Sequence, residues 1–421
     1  MLQWGEERAH LSRRERRFSK FKYYVPIYCV SSACEASRQR QLVAPKKLIA
    51  MLRVFSTLVA CCAAAPSVTL TNGVKPGAIV SMPALAAGTA GYQGANATAA
   101  VQRALKAGFT HLHTAFDYFN LVPLGLGLRG VPRSSYFLSS MTSPCIHPAA
   151  PPKRNVTDPQ GCHDLTITEV QSVLDELKLP TLDLLMLHGP SEAFGHIGGC
   201  SPLACALARA QWSAYETLLT SGKVRAIGVS NFCQSCLACL NGSKFAPAVN
   251  QIQVHVGQGS ADPGPGLLSY CVSTRARRHE FAMPSMKDCL AGWLAGCLPA
   301  CLPARLHPQP FCTRKAPLLC PQAKRGIVVQ AYEPLAGGAL AKDSFCAAIG
   351  LKHNKSAAQV ALRWVLQRAP TVVVRAGSDA HLRQDLDLFD FSLDASDLKG
   401  LDERTQPKGE AGGRCSWGCT E

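Results

Sequence analysis

Between Gly108 and Asn120 the chain reads Gly-Phe-Thr-His-Leu-His-Thr-Ala-Phe-Asp-Tyr-Phe-Asn, a short apolar strand that breaks into a polar, aromatic turn. A phenol just beyond the C-terminal end of a strand is held still by the strand and left open by the loop, which is where parallel α/β folds collect reactive groups. Tyr118 is therefore a candidate proton donor. Taken alone, Phe116, Tyr118 and Phe119 would suit plain aromatic packing. Three further strand ends decide the matter by carrying polar groups of their own: His188-Gly-Pro, Ser230-Asn231-Phe232 after Gly-Lys-Val-Arg-Ala-Ile-Gly-Val, and Asn250-Gln251.

The elements that must position these groups alternate. Leu70-Thr-Asn-Gly73 carries an Asn-Gly turn and predicts a small hairpin ahead of the main fold. Met82 to Leu85 reads as a buried strand ending in the small-residue turn Gly88-Thr89, and Ala99 to Ala107 as a helix stopped by Gly108. Strands are then expected at Tyr136–Met141, Leu182–His188, Val224–Val229, Val249–Val256, Ile327–Ala331 and Thr371–Val374. Helices are expected at Glu169–Leu177, Ala210–Leu219, Cys233–Leu240, Ala357–Gln367 and Leu382–Leu388. Strands apolar on both faces, alternating with amphipathic helices, imply a parallel sheet with helices outside. About eight such units over roughly 340 residues fit a single closed (β/α)8 TIM barrel better than two open sheets. The Pro-rich connection from Ser143 to Cys162 is long and lacks any period, so it is either a cover for the substrate or a rigid surface loop.

With 421 residues and 47% hydrophobic content the chain can bury one large core or two ordinary ones. Its formal charge of +16 would suggest nucleic acid if it lay on one face. Residues 1 to 50, however, hold eleven Lys/Arg against four Glu, and residues 272 to 322 hold seven against two, leaving only +4 for everything else. No nucleic-acid partner is expected. No uninterrupted apolar run reaches about eighteen residues, so no membrane span is expected either.

Taken together, the strand ends resemble those of the aldo-keto reductases. Gly222 to Phe232 is the longest match, Tyr332-Glu-Pro-Leu335 and Phe389-Asp-Phe391 agree in place and order, and the resemblance covers about residues 67 to 405 without 272 to 322. It implies NADPH-dependent reduction of a small-molecule carbonyl, an aldehyde or ketone, with hydride from the nicotinamide and a proton from a tyrosine. Tyr118 falls on that tyrosine. His188 falls on the family's site histidine, where an imidazole can orient the carbonyl or share its proton relay. Ser230, Asn231 and Gln251 match the positions that hold the nicotinamide carboxamide, a flat group with donors and acceptors that amide and hydroxyl side chains suit. Tyr332 matches the aromatic that stacks on the nicotinamide ring, and Gly88, Thr89, Pro334 and Leu335 complete this end of the implied cofactor site. For the adenosine phosphate, the family's basic residue, hydroxyl and second basic residue align with Arg375, Ala376 and His381, while Gln384 and Asp385 fall where adenine-contacting side chains sit. Arg375 can still grip a phosphate bidentately. The lost hydroxyl and the weaker cation predict a reduced preference for NADPH over NADH. No metal is expected.

The departures lie at the chemistry itself. The family's catalytic aspartate position is His113, and its catalytic lysine position is Met141. A lysine ammonium beside a phenol lowers its pKa; a thioether cannot. Tyr118 should be a poorer acid–base group than usual, with Asp117 and His113 compensating in part and catalysis leaning on His188. The chain is thus expected to be an NAD(P)H-dependent carbonyl reductase. The rival is a barrel that binds the cofactor but scarcely turns over and serves as a redox or ligand sensor.

Cys233, Cys236 and Cys239 share roughly one side of a helix, and three thiols invite a metal or redox role. Spacing places no fourth ligand, so the expectation is three buried small hydrophobes. The 20 cysteines are spread over a long chain and do not by themselves place it in an oxidising compartment. Residues 1 to 65 are expected to be a leader, 66 to 405 the barrel and 406 to 421 a tail. Within the leader, Met51 to Pro66 has signal-peptide grammar, so translation is expected to begin at Met51 and residues 1 to 50 to come from an over-extended gene model. A basic, acid-poor leader fits an organelle as well as the secretory route, and without it the chain is cytoplasmic. Asn-X-Ser/Thr tripeptides stand at Asn96, Asn155, Asn241 and Asn354. Residues 272 to 322 interrupt two pieces that would join naturally as a helix leading to a strand. The segment begins Val-Ser, encodable as GTGAGY, and ends Pro-Gln, encodable as CCNCAG, the consensus borders of an intron. Messenger RNA amplified and sequenced across Cys271 to Ala323 should lack it; a transcript that contains it overturns the intron reading.

Overall fold

Runs such as Leu184–Leu187 and Thr371–Val374 have no polar face, so they are stable only where both faces are covered, and the structure covers them by closing a barrel. The computed structural model describes residues 66–147, 154–191, 200–257, 326–375 and 377–404. The expected leader, the 272 to 322 segment, Ala376 and the tail lie outside the described residues. Two strands come first: β1 (Ser67–Leu70) pairs antiparallel with β2 (Val80–Pro83). The barrel then runs through β3 (Leu85–Gly88), β4 (His111–His113) and β5 (Phe137–Thr142). After a two-residue hairpin, β6 (Ile146–His147) with β7 (Arg154–Asn155), it continues through β8 (Leu184–Leu187), β9 (Ile227–Ser230), β10 (Val249–Gln253), β11 (Val328–Tyr332) and β12 (Thr371–Val374). All eight barrel strands are parallel, and β12 returns to β3 through Val372–Leu85, Val373–Ala86 and Val374–Ala87. This is the (β/α)8 barrel that the alternation predicts.

The strand expected at Met82 to Leu85 divides in two. Met82 belongs to the hairpin, and Ala84 donates its N–H back to the Pro66 carbonyl at 2.7 Å before the barrel strand begins. The hairpin closes the N-terminal end of the barrel: Leu70, Val80 and Met82 pack with Phe137, Met141, Leu184 and Met186 in one apolar cluster. Gly73 makes the approach close: at φ 55° its carbonyl accepts from the Ile227 N–H of β9 at 2.8 Å, and a Cβ there would run into the Ile227 carbonyl.

Helices α1 (Gly94–Ala107), α2 (Leu121–Gly127), α3 (Pro159–Leu177), α4 (Pro202–Ser221), α5 (Gln234–Ala238), α6 (Ser344–His353), α7 (Ala357–Leu366), α8 (Asp379–Leu386) and α9 (Ala395–Asp402) lie along the chain between and after the strands. Their apolar faces and the outward faces of the strands form the main core, in which Trp212, Tyr215, Leu185 and Val229 are buried. Gly108 ends α1 with φ 110°, as its position predicts. α3 and α4 start well before their first amphipathic turns. Asp158 accepts from the Gly161 N–H at 2.7 Å and Ser201 from the Ala204 N–H at 3.0 Å, each followed by a proline whose missing N–H costs nothing in a first turn. α6, α9 and a 3-10 stretch at Ala336–Lys342 have no counterpart in the sequence pattern; in α6 the pattern is masked because Phe345 and Leu351 face solvent. No helix of the described residues is long and apolar enough to cross a membrane.

The cysteine expectation needs correction. Cys236 and Cys239 are buried, but they are bonded, to Cys200 and Cys205 at the start of α4, with Cα–Cα separations of 5.0 and 5.2 Å. A third disulfide joins Cys145 to Cys162 across 5.7 Å, and between these cysteines β6 pairs antiparallel with β7. Cys233 and Cys346 are free and buried. No group of three or more His, Cys, Asp or Glu among the described residues could hold a metal ion. Peptide mapping without reductant should recover the pair Cys145–Cys162, and replacing both by serine should lower stability by about 2–4 kcal/mol in urea unfolding.

Candidate active site

Tyr118 does not sit on a strand. β4 ends at His113, and Phe116–Tyr118 forms a single 3-10 turn closed by Phe119 in the left-handed region at φ 52°. The turn is anchored from both sides. Gln93 Nε2 donates to the Tyr118 carbonyl at 2.8 Å, and Asn120 Nδ2 donates to the Thr89 and Tyr92 carbonyls at 2.8 and 3.0 Å while the Thr114 hydroxyl donates to Asn120 Oδ1 at 3.1 Å. The Tyr118 ring is half-buried, and its centroid is 5.7 Å from that of His188 and 6.3 Å from that of His113, both nearly edge-on. Burial first, then the carboxylates of Asp117 and Glu333, pushes the phenol well above its usual pKa. Met141, at the position where a cation was expected to matter, is fully buried with Phe137, Leu184 and Met186, and Tyr118 packs against this cluster.

His188 leaves the end of β8 with Nδ1 3.0 Å from Asp117 Oδ2. Burial alone would raise the Asp117 carboxyl, but hydrogen bonds from His188 and from the Ser143 hydroxyl, with the charge of Arg154, bring it below the usual range. Behind it, the Ser143 N–H donates to Glu169 Oε1 at 2.7 Å, and the other Glu169 oxygen pairs with Arg154. Burial pushes Glu169 up to about 7 against the pull of Arg154.

His113 is 2% exposed and faces the lumen. The Ser139 hydroxyl stands 3.0 Å from His113 Nδ1 and 3.0 Å from His111 Nε2, and His113 Nε2 lies 3.5 Å from Gln251 Nε2. Burial pushes His111 down to about 4 and His113 to about 3, in the second case reinforced by the neighbouring imidazoles. The position therefore holds a neutral ring, not a charge.

The expected cofactor residues divide into two groups. Ser230, Asn231, Gln251 and Tyr332 come together at adjacent strand ends. The Ser230 hydroxyl donates to the Gln251 carbonyl at 2.8 Å, Asn231 Nδ2 donates to the His188 carbonyl at 2.8 Å, and the Tyr332 hydroxyl donates to Asn231 Oδ1 at 2.8 Å. Pro334 is buried and Leu335 half-buried just beyond Tyr332. Gly88 and Thr89 close β3 between β12 and β4, where a Cβ on Gly88 would come within 2.9 Å of Val373 and the Thr89 hydroxyl donates to the His113 carbonyl at 3.0 Å. The second group lies around α8. Arg375 is exposed, with its guanidinium 4.9 Å from the centre of the Tyr92 ring, and His381 and Gln384 are exposed on the helix that Ser378 caps. Asp385 is buried, and burial raises it to about 7. Sequence reasoning missed Gln93, Asn120, Ser143, Glu169 and Arg154. Ser143 carried a usable signal, since it follows a strand end as the other polar groups do.

A family model described as Aldo/keto reductase family matches residues 84–274 and 313–405. The chain is 26% identical over 340 residues to the glyoxal reductase of Bacillus subtilis, covering 80% of this chain and 91% of that protein. It is 25% identical over 355 residues to the morphine 6-dehydrogenase of Pseudomonas putida, covering 80% and 90%. The aldose reductase of Schistosoma japonicum shares the fold, with a TM-score of 0.52 at 21% identity over 80% of this chain and 93% of that one.

The two lumen histidines make stability depend on acid. Their folded-state values lie below the unfolded value of 6.5, so the stability they permit is fully present above that pH and lost as pH falls from 6.5 toward 4. Two protons taken up on unfolding give a slope of up to about 2.7 kcal/mol per pH unit. Urea unfolding of His111→Gln across this window should show about half that slope.

Proposed function

Because the chain belongs to the aldo/keto reductase family, we propose that it reduces an aldehyde or ketone to an alcohol with NADPH, and that Tyr118 donates the proton. What supports this reading is one convergence: a phenol, an imidazole and a set of amide and hydroxyl groups meet at the C-terminal ends of adjacent barrel strands. The donor set fits a nicotinamide. Ser230, Asn231 and Gln251 supply the donors and acceptors that a carboxamide needs, and the half-buried Tyr332 ring offers a flat apolar face. Gly88, Thr89, Pro334 and Leu335 would wall this end, and Arg375, His381 and Gln384 are the exposed groups for the adenosine phosphate and adenine, with Asp385 beneath them. With one arginine and a histidine for the phosphate, NADH should be accepted as well.

When bound, a reduced nicotinamide supplies a hydride to the carbonyl carbon. The chain's own work is to orient that carbonyl and to protonate its oxygen. Among the described residues none hydrogen-bonds to the Tyr118 hydroxyl, which leaves it to face a substrate oxygen, and His188 stands at the same opening. Asp117 holds the His188 ring, and neutral His113 lines the wall below.

A second reading has its own observation. The buried Met141 leaves the Tyr118 phenol without a neighbouring ammonium, and a barrel so altered would bind the cofactor, scarcely turn it over and act as a redox or ligand sensor. Fluorescence titration with NADPH, followed by NADPH oxidation with glyoxal and a panel of larger aldehydes and ketones, separates the two. A reductase should bind and turn over, and Tyr118→Phe should lose about 10²–10⁴-fold in kcat while binding is unchanged. Binding without turnover in the wild type selects the sensor, and absence of binding overturns both.

A further inference from the structure

Resting on the reading that this barrel binds a nicotinamide, we infer that the disulfides Cys200–Cys236 and Cys205–Cys239 are a site of redox modification: a dithiol opens them and thereby loosens the hold on the cofactor's carboxamide. Both bonds join the same two elements, the start of α4 and the short helix α5 that follows Ser230 and Asn231.

The segment from Cys233 to Phe245 is laid along one side of α4. Cys200, just before the helix, holds Cys236, and Cys205 holds Cys239, with Cα–Cα separations of 5.0 and 5.2 Å. Further along α4, Arg209 Nη1 donates to the Cys239 carbonyl at 3.3 Å, Trp212 Nε1 donates to the Phe245 carbonyl at 2.9 Å, and Glu216 Oε1 accepts from the Phe245 N–H at 2.9 Å. Positions 205, 209, 212 and 216 are three and four residues apart, which keeps these contacts on one helix face. The hydrogen bonds hold the far end of the segment. The disulfides hold the near end, the one that runs into Asn231. α5 spans only Gln234–Ala238, too short for a helix to persist by itself, so its shape depends on what it is fastened to.

The near end leads straight into the implied carboxamide site. Asn250 Nδ2 donates to the Phe232 carbonyl at 2.8 Å, and Asn231 keeps φ at 58° while its amide bonds the His188 carbonyl and the hydroxyls of Ser230 and Tyr332. A left-handed residue other than glycine persists only where its surroundings over-determine it. β9 fixes one flank of Asn231; Asn250 and the stapled α5 fix the other.

Access separates these two bonds from the third. Cys145 and Cys162 are 1% and 0% exposed, so neither sulfur is presented to solvent. Cys236 and Cys239 are buried as well, but their partners Cys200 and Cys205 are partly exposed. Exchange requires a thiolate to reach a sulfur, so attack falls on Cys200 and Cys205. The incoming thiolate forms a mixed disulfide there, the bond to Cys236 or Cys239 breaks, and the departing sulfur takes up a proton. The second thiol of the reductant then closes on the first and releases the cysteine as a thiol. Each bond opened oxidises one dithiol by two electrons.

The test titrates NADPH by fluorescence into the full chain before and after dithiothreitol, with the opened bonds identified by alkylation and peptide mapping. Cys200–Cys236 and Cys205–Cys239 should open while Cys145–Cys162 stays closed, and NADPH affinity should fall about tenfold. By reciprocity, saturating NADPH should protect the same two bonds by the same factor. Cys200→Ser with Cys205→Ser should bind as weakly as the reduced wild type and ignore dithiothreitol; if that variant does not fold, the reduced wild type carries the comparison. Unchanged NADPH affinity with both bonds open overturns the inference, as does opening of Cys145–Cys162 ahead of them. If the oxidised chain binds no NADPH, the cofactor reading fails instead. Hydrogen exchange then decides whether the bonds control the segment: faster exchange at residues 231–245 on reduction supports the staple, and unchanged exchange overturns it.

Discussion

A strand covered on both faces leaves a polar side chain two places to go: paired inside, or at the strand's end where the backbone turns outward. This barrel uses both, and its chemistry follows from the division. Inside, the Ser139 hydroxyl satisfies two imidazoles at once, and Gln251 donates to Gln330 across neighbouring strands at 2.7 Å. The remaining lumen positions around Met141 and Met186 are apolar. At the ends, Ser230 and Tyr332 are the last residues of their strands and Tyr118, His188 and Asn231 follow theirs, so the barrel holds all five at its rim, which is what a site needs from its scaffold.

The same constraint explains what could be read in the chain. Thr371–Val374 matches its expected bounds, because a four-residue β-branched run between turn signals admits one interpretation. The polar groups at strand ends were readable for the converse reason, as interruptions of apolar runs. Helix starts were not. α3 and α4 begin in Asp158-Pro159 and Ser201-Pro202, capping signals hidden in stretches that read as loops. The disulfides were invisible because the burial of Cys236 and Cys239 was legible but their partners lie just before and within α4, 36 and 34 residues away. Glu169 reaches the site through Ser143, Arg154 through its pairing with Glu169 and its charge on Asp117, and no periodicity reports contacts of that kind.

Electrostatically the site is lopsided. The lumen below Tyr118 carries no charge, since Met141 is apolar and the histidines at 111 and 113 are neutral. Arg154, Glu169 and Asp117 stand to one side beside His188, and the Glu333 carboxylate acts on Tyr118 from beyond β11.

Asn231 sits in the left-handed region at φ 58°, a conformation asparagine tolerates better than most residues. Its amide spans three strand ends, giving hydrogen bonds to the His188 carbonyl and the Ser230 hydroxyl and receiving one from the Tyr332 phenol. Three of its four hydrogen-bonding places are therefore taken before any ligand arrives. An incoming carboxamide would have to trade for these bonds one by one, and a trade of equals yields little net free energy. The amide would act as a gauge of alignment more than as a grip.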